Sequence, residues 1–382
     1  MRPLFLWRVL FVIVIVICHS GYLAMSSFFH TFFASLRRFD WFLVVGIVIL
    51  SAIGLVSLAS LNTELFNRQI LWYVLFVLTI LVGSQIHWRW LVGRGWFRQG
   101  AYWFFVLLIL FTMFQSGTIR GTKSWIFIGS FQFQPSEFLK IALIFLLAGF
   151  FSRKFEGAWL GKNIFVSFLY AAIPSALVVL QPDLGTALVI MGVWVGFLFM
   201  SGFHLKRVIF MFFTLLFAGA LSWFFLLQPY QKERITSFLF PDRDPLGASY
   251  NVIQSKIAVG SAGFLGKGFG FGTQSHLQFL PEAETDFLFA SFIEEWGILG
   301  GIILLLTFLF VVFRIMNIGL RSANNDYRFI SLGVALVLMI HFFINAGSNL
   351  GFTPVTGIPF PFLSYGGSHL LTLGVLISII QR

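Results

Sequence analysis

Acidic residues are scarce in this chain: 14 Asp and Glu stand among 382 residues, and charged residues of both signs make up only 10%. Soluble domains carry about 25% charged residues, so a soluble globule is excluded. Cysteine is nearly absent too. Cys18 alone cannot form an intramolecular disulfide, and no Cys/His spacing resembles a structural zinc site. What is present is apolar: 58% hydrophobic residues, 52 of them Phe, with a mean hydropathy of +0.92. The class is an all-α polytopic membrane protein. Its net charge of +11 reads first as loop orientation, and no nucleic-acid partner is expected.

A helix crosses a hydrocarbon core of about 30 Å in roughly 20 apolar residues. Ten such runs follow residue 36, near 40–61, 69–86, 101–117, 137–152, 164–181, 184–202, 208–227, 287–313, 329–348 and 362–381. Fourteen Lys and Arg fall in alternate connections and at the C-terminus, among them Arg89, Arg94, Arg98, Arg153, Arg314 and Arg321. The opposite short loops hold only Arg68, Arg120 and Lys123. The rich side is expected in the cytoplasm, which makes the long loop at 228–286, between the seventh and eighth spans, extracytoplasmic. Residues 1–36 form an N-terminal extension with a short apolar run, Val9 to Cys18, flanked by Arg2 and Arg8. It reads as an eleventh hydrophobic segment, an interfacial anchor, or the product of start-site choice, since Met25 could begin the chain. Residues 37–382 form the ten-helix domain.

Polar residues gather in the outer loops. Glu137 and Lys140 share a helix face and can neutralise each other, as a structural ion pair or as a contact to a charged substrate. Asp183 in Gln181-Pro182-Asp183-Leu184-Gly185-Thr186 is either a helix N-cap or a site residue. In the long loop, Tyr250 to Val259 reads as an interfacial helix with Ile253 and Ile257 on one side. Glycines from Gly260 to Gly272 alternate with Phe264, Lys267, Phe269 and Phe271, a backbone that could approach a phosphate or simply be a loop. Prolines and glycines between Asn345 and Ser368 forbid a regular helix there, so that segment should line a cavity. Three acids, Glu282, Glu284 and Asp286, crowd the membrane boundary within five residues. Asp286 is a functional candidate or, with Thr285, an N-cap of the eighth span. Glu294 and Glu295 lie deeper, where buried pairing is expected, and His341 and His369 read as core residues.

The ordered motifs Gln-Pro-Ser-Glu at 134–137, Gln-Pro-Asp-Leu-Gly-Thr at 181–186, Leu-Pro-Glu-x-x-Thr-Asp-Phe at 280–287 and Pro-Val-Thr-Gly-Ile-Pro-x-Pro-Phe-x-Ser-Tyr-Gly-Gly-Ser at 354–368 resemble the SEDS family of shape, elongation, division and sporulation proteins. The match runs from about Arg38 to the C-terminus. The stretch from Gly263 to Asp286 is closer to its RodA branch than to its FtsW branch. Two departures stand out: His369 where the family usually has a small residue, and Ser124 where Arg is common.

The resemblance implies a peptidoglycan glycosyltransferase in the bacterial cytoplasmic membrane. It would polymerise lipid II at the outer face and release undecaprenyl pyrophosphate, partnered by a class B penicillin-binding protein and other elongation-complex membrane proteins. It puts the catalytic acid at Asp286 and directs attention to Arg68, Glu137, Lys140, Asp183 and the turn from Ser364 to Ser368. The chemistry asks for one base on an acceptor hydroxyl and positive charge at the leaving pyrophosphate. Asp286 would be the base, its pKa raised by partial burial and by Glu282 one helical turn away. Arg120, Lys123 and Arg68 or Lys140 would hold phosphates, directly or through a divalent cation, Mg2+ or Mn2+, bridging to a carboxylate. Lys267 and Thr285 complete the binding candidates. A lipid II transporter or a non-catalytic scaffold are the rivals; the charges cluster on the outer side, which favours the enzyme.

Overall fold

The structure, a computed structural model, describes residues 39–114, 124–129, 131–153, 161–202 and 249–381, with scattered residues between 213 and 247. Most of the seventh expected span, parts of the long loop before residue 249, and the N-terminal extension therefore lie outside the described residues.

The chain is built of helices. In order they are α1 (Trp41–Leu61), α2 (Thr63–Gly83), a short α3 (Trp88–Gly93), α4 (Gly95–Met113), α5 (Pro135–Arg153), α6 (Gly161–Leu180), α7 (Leu184–Met200), α8 (Tyr250–Ser261), α9 (Thr273–His276), α10 (Leu288–Leu320), α11 (Asn325–Leu350) and α12 (Gly367–Ile380). Seven are long and apolar enough to cross a membrane, and α7 and α12 are shorter apolar helices. These account for nine of the ten expected spans. Large apolar side chains such as Trp41, Leu107, Phe165 and Phe313 point outward, which water would oppose and lipid accepts.

α5 is the centre. It is buried from Leu139 to Ala148 and packs against α4, α6, α7, α11 and α12. Close approach relies on small residues. A Cβ on Gly54 of α1 would come within 2.5 Å of the Leu363 carbonyl oxygen, so the bare backbone seats the 360–365 segment directly on the helix. At the basic end of the bundle, Asp40 caps α1 through the Leu43 amide and pairs with Arg314 at 2.8 Å, while Arg98 lies 3.7 Å from Asp326.

Four local features differ from the sequence reading. Residues Ile126–Ile128 and Phe131–Phe133 form a two-stranded antiparallel hairpin, β1 and β2, with Ile126 opposite Phe133. The eighth span is broken at Gly297, whose φ of 71° no helix contains. Helix α11 runs on through Asn345 to Leu350, so the irregular segment starts at Gly351. On α8 the face buried in the protein is Ser255 and Ala258, whereas Ile257 is exposed.

The break in α10 explains the glycines of the long loop. The amides of Lys267 and Gly268 donate to the carbonyls of Glu294 and Glu295, and the amides of Ile298 and Leu299 donate to the carbonyls of Gly263 and Phe264. The loop thus supplies partners for the groups that the break would orphan. Glycine is required because a Cβ on Gly297 would meet the Gly266 nitrogen and the Phe264 oxygen, both at 2.3 Å. The glycine run closes on protein backbone in place of a phosphate.

Candidate functional site

At the end of the bundle where α1 passes into α2, a cavity of about 570 Å3 opens. Its walls come from five separate parts of the chain: Arg68 and Trp72 of α2, Gln132 to Glu137 around β2 and the start of α5, Asp183 to Thr186 at the start of α7, Thr285 with Asp286, and the 355–369 segment entering α12. The irregular backbone lines it at 355–359 and again at 365–366.

Asp286 is held through its backbone. Its carbonyl accepts from the side-chain amides of Asn345 and Asn349, each at 3.0 Å, and Asn349 in turn accepts from the Ala290 amide at 3.1 Å. Phe287 beside it is fully buried. The side chain is thereby aimed without being used as a cap, for α10 has no side-chain cap at its start. Gly357, at φ 74°, faces the carboxylate; a Cβ there would sit in ordinary contact, 3.7 Å from Asp286 Oδ2. Sequence reasoning missed the two asparagines, although two Asn four apart in an apolar helix are a signal that a backbone group nearby needs donors.

Glu282 lies one hydrogen-bonded turn before Asp286 but not on a helix with it, because residues 281–286 form turns, with Glu282 itself at φ 57°. Its carbonyl accepts from the amides of Thr285, Asp286 and Phe287, and its carboxylate accepts from the Thr285 hydroxyl at 2.9 Å. Glu282 is exposed and braces this turn; it is not on the cavity wall. Glu284 is half-buried, and its carbonyl accepts from the Tyr365 amide.

Glu137 and Lys140 form a buried pair at 2.7 Å, with side chains 4% and 1% exposed. Glu137 reaches the cavity wall and Lys140 stands behind it. Lys140 Nζ also lies 2.9 Å from His341 Nε2, and His369 Nδ1 lies 3.0 Å from the other Glu137 oxygen. The two imidazoles stack with centroids 4.8 Å apart. Both histidines are buried as expected, and His369 also lines the cavity.

Asp183 is both cap and wall. It accepts from the Thr186 amide at 3.0 Å, from the Thr186 hydroxyl at 2.8 Å and from Gln134 at 3.3 Å. Burial pushes its pKa up, and the Thr186 hydrogen bonds offset part of that rise. Ser368 fastens the hairpin, donating to the Gln132 carbonyl at 2.7 Å while accepting from the Gln134 amide. Ser364 is buried in its turn, accepting from the Phe360 amide, and does not line the cavity. Arg68 is exposed on the rim, bonded to Glu64 at 2.6 Å.

Lys267 is elsewhere. It binds Glu294 at 2.7 Å, and Glu294 further accepts from Gln274 and Ser275, while Glu295 accepts from Ser60, pairs with His276 and receives the Gly270 amide. The two buried acids are pairing groups, as expected. Arg120 and Lys123 lie outside the described residues. Among the described residues no three His, Cys, Asp or Glu side chains converge to hold a metal ion.

Comparison with known proteins returns consistent relatives. The family model described as "Cell cycle protein", which covers FtsW, RodA and SpoVE, matches residues 34–382. Peptidoglycan glycosyltransferase MrdB of Escherichia coli K12 is 35% identical over 343 residues, spanning 88% of this chain and 91% of that one. Stage V sporulation protein E of Bacillus subtilis is 35% identical over 358 residues, spanning 89% and 96%. Among solved structures, a chain from work on the structural coordination of polymerization and crosslinking by a peptidoglycan synthase complex superposes with a TM-score of 0.76 at 30% identity, covering 90% of this chain and 96% of its own. The rod shape determining protein RodA of Thermus thermophilus gives 0.66 at 26% identity, with the same coverage.

Proposed function

The chain belongs to the cell cycle protein family of FtsW, RodA and SpoVE, and from that premise we propose that its cavity polymerises lipid II into glycan strands with Asp286 as base. It is an integral membrane protein and a peptidoglycan glycosyltransferase, the activity that its relatives carry by name. The observation that carries the residue assignment is that Asp286, Asp183, Glu137 and Arg68, far apart in sequence, share the wall of one cavity.

In the proposed reaction the acceptor sugar's hydroxyl gives its proton to the Asp286 carboxylate as its oxygen attacks the anomeric carbon of the donor. The bond from that carbon to the pyrophosphate oxygen breaks, and undecaprenyl pyrophosphate leaves with the electron pair. It needs positive charge and no proton. Arg68 supplies that charge, joined by Arg120 and Lys123, which precede the cavity residue Trp125 in sequence. Lys140 acts indirectly, by neutralising Glu137. Asp183, Thr285 and Ser368 shape the wall, and Glu282 supports the turn that presents Asp286. Lys267 serves the fold by holding Glu294. The Lys/Arg bias of the connections supports a cavity at the outer face of the bacterial cytoplasmic membrane. A class B penicillin-binding protein would crosslink the product, a pairing supported by the likeness to a chain of a peptidoglycan synthase complex. An elongation role rests on the sequence from Gly263 to Asp286.

The test is glycan polymer formed from labelled lipid II by purified protein, with and without a class B penicillin-binding protein. Asp286→Ala should lower the rate by about 10² to 10⁴, the contribution of a general base. An undiminished rate would remove Asp286 from the role, and lipid scrambling without polymer would favour transport.

A further inference from the structure

Helix α1 joins two different ends of the bundle. Its last turn passes into α2 beside the candidate site, and its first turn, about 30 Å away at the usual helical rise, borders a second cavity of about 710 Å3. The walls of this second cavity come from the starts of α1 and α3, the connection from α10 to α11, and the end of α12. The proposed reaction makes no use of it.

Its charge is one-sided. Arg89, Arg314 and Arg321 line it, against one carboxylate, Asp40. Arg314 is committed to Asp40, with Nε 3.0 Å from Oδ1 and Nη2 2.8 Å from Oδ2, and the nearby Asp326 pairs with Arg98. Arg89 and Arg321 are exposed, and among the described residues neither forms an ion pair. Both are placed all the same. The Arg89 Cζ lies 5.2 Å from the centre of the Tyr327 ring, which is buried in the cavity wall. Arg321 donates from Nε to the Asn317 side-chain oxygen at 3.1 Å, which leaves its two terminal amino groups for a ligand.

The same cavity opens toward lipid. Trp41 and Phe42 on its wall are 56% and 67% exposed in the first turn of a membrane-crossing helix, and Val45, Val48 and Ile49 continue that exposed apolar face along α1. Aromatic side chains favour this depth, where headgroups meet hydrocarbon. A ligand here therefore meets uncompensated positive charge on one side and an apolar track on the other. A free phosphate ion would use the first alone; a phospholipid would use both.

We propose that this cavity binds an anionic phospholipid from the leaflet at the arginine-rich end, its phosphate on Arg89 and Arg321 and an acyl chain along Trp41 and Val45. Guanidinium groups suit phosphate oxygens, and basic pockets between helices on the cytoplasmic side of a membrane hold such headgroups. The site is independent of the reaction proposed at the other end of α1.

The probe is dioleoylphosphatidylglycerol, offered to the full-length protein in micelles against dioleoylphosphatidylcholine with the same chains. Lipid retained by the protein is counted by native mass spectrometry, which needs no turnover. Wild type should keep phosphatidylglycerol in preference. Arg89→Gln with Arg321→Gln should weaken that binding about 25-fold, from about fivefold for each arginine beside an anionic headgroup, at an unchanged melting temperature. Arg94→Gln with Arg153→Gln makes an equal change of charge at exposed positions of the same end outside the cavity, and should leave the preference standing. Trp41→Ala should weaken phosphatidylglycerol binding, and millimolar glycerol phosphate should fail to displace the lipid. Equal retention of the two lipids by wild type would overturn the proposal, as would equal losses in the two arginine pairs, which would reduce the effect to a general attraction of the basic end. Displacement by glycerol phosphate together with an inert Trp41→Ala would assign the cavity to a water-soluble anion and refute the lipid. Should the double variant melt early, Arg321→Gln alone decides: it touches no ring, and an undiminished preference in it would refute the site.

Discussion

Replacing Lys140 by Met keeps the length of the side chain and deletes its ammonium from the middle of a buried polar group. The Nζ lies 2.7 Å from Glu137 Oε1 and 2.9 Å from His341 Nε2. With both acid and base all but inaccessible, their removal from water is compensated, among the described residues, by each other and by the two histidines. Deleting one partner of a buried ion pair costs about 3–5 kcal/mol, and His341 loses its donor for about another 1 kcal/mol. Protonation of Glu137 sets the upper limit of the damage. The double variant Lys140→Met with Glu137→Gln removes the charge while leaving an amide oxygen to accept from His369, so it should recover most of the loss. Denaturant unfolding in micelles, followed by the fluorescence of the 12 Trp, measures the cycle. The reasoning fails if Lys140→Met unfolds within about 1 kcal/mol of wild type, a surface-pair value, or if the double variant is no more stable than that single one.

Gly297→Ala must adopt a left-handed φ, worth about 1–2 kcal/mol, and must also displace backbone of the glycine loop. Gly202→Ala carries the same φ penalty with open space around it, so Gly297→Ala should be the more destabilising and should strip exchange protection from the Lys267 and Gly268 amides; equal losses would contradict the packing argument. For Asp183 the folded pKa is raised, so the protonated form is favoured on folding. Its contribution is greatest below the ordinary carboxylate value and is lost as pH rises through the folded one. Melting temperatures of Asp183→Asn relative to wild type should therefore climb with pH above about 4; a flat difference would show that the Thr186 bonds cancel the burial.

The spans were legible because crossing hydrocarbon demands continuous apolar length, and from Trp41 to Ile380 no other use of the chain imitates it. The candidate cavity was legible in part for a similar reason: Asp286, Asp183 and Glu137 are acids where acids are expensive. What was hidden depended on backbone. A glycine in an apolar run looks the same whether the helix passes through it or breaks, and only the left-handed φ of Gly297 separates the cases. Three-residue strands such as Ile126–Ile128 are too short for alternation to register. The bond of Lys267 to Glu294 could not be read from residues 27 apart, and a cation in a glycine-rich loop resembles a phosphate ligand until its partner is seen. The positions of Asn345 and Asn349 were visible, but not the carbonyl they serve.

The paired break in α10 has a mechanical meaning. Residues Leu288 to Trp296 form a stub of about 13 Å at the usual helical rise, with Asp286 just before one end and the glycine loop bolted by two backbone hydrogen bonds to the other and by two more to the helix beyond the break. The loop splices the two halves of the helix, so a pull on the glycines would load both halves through hydrogen bonds and would not stretch a slack tether.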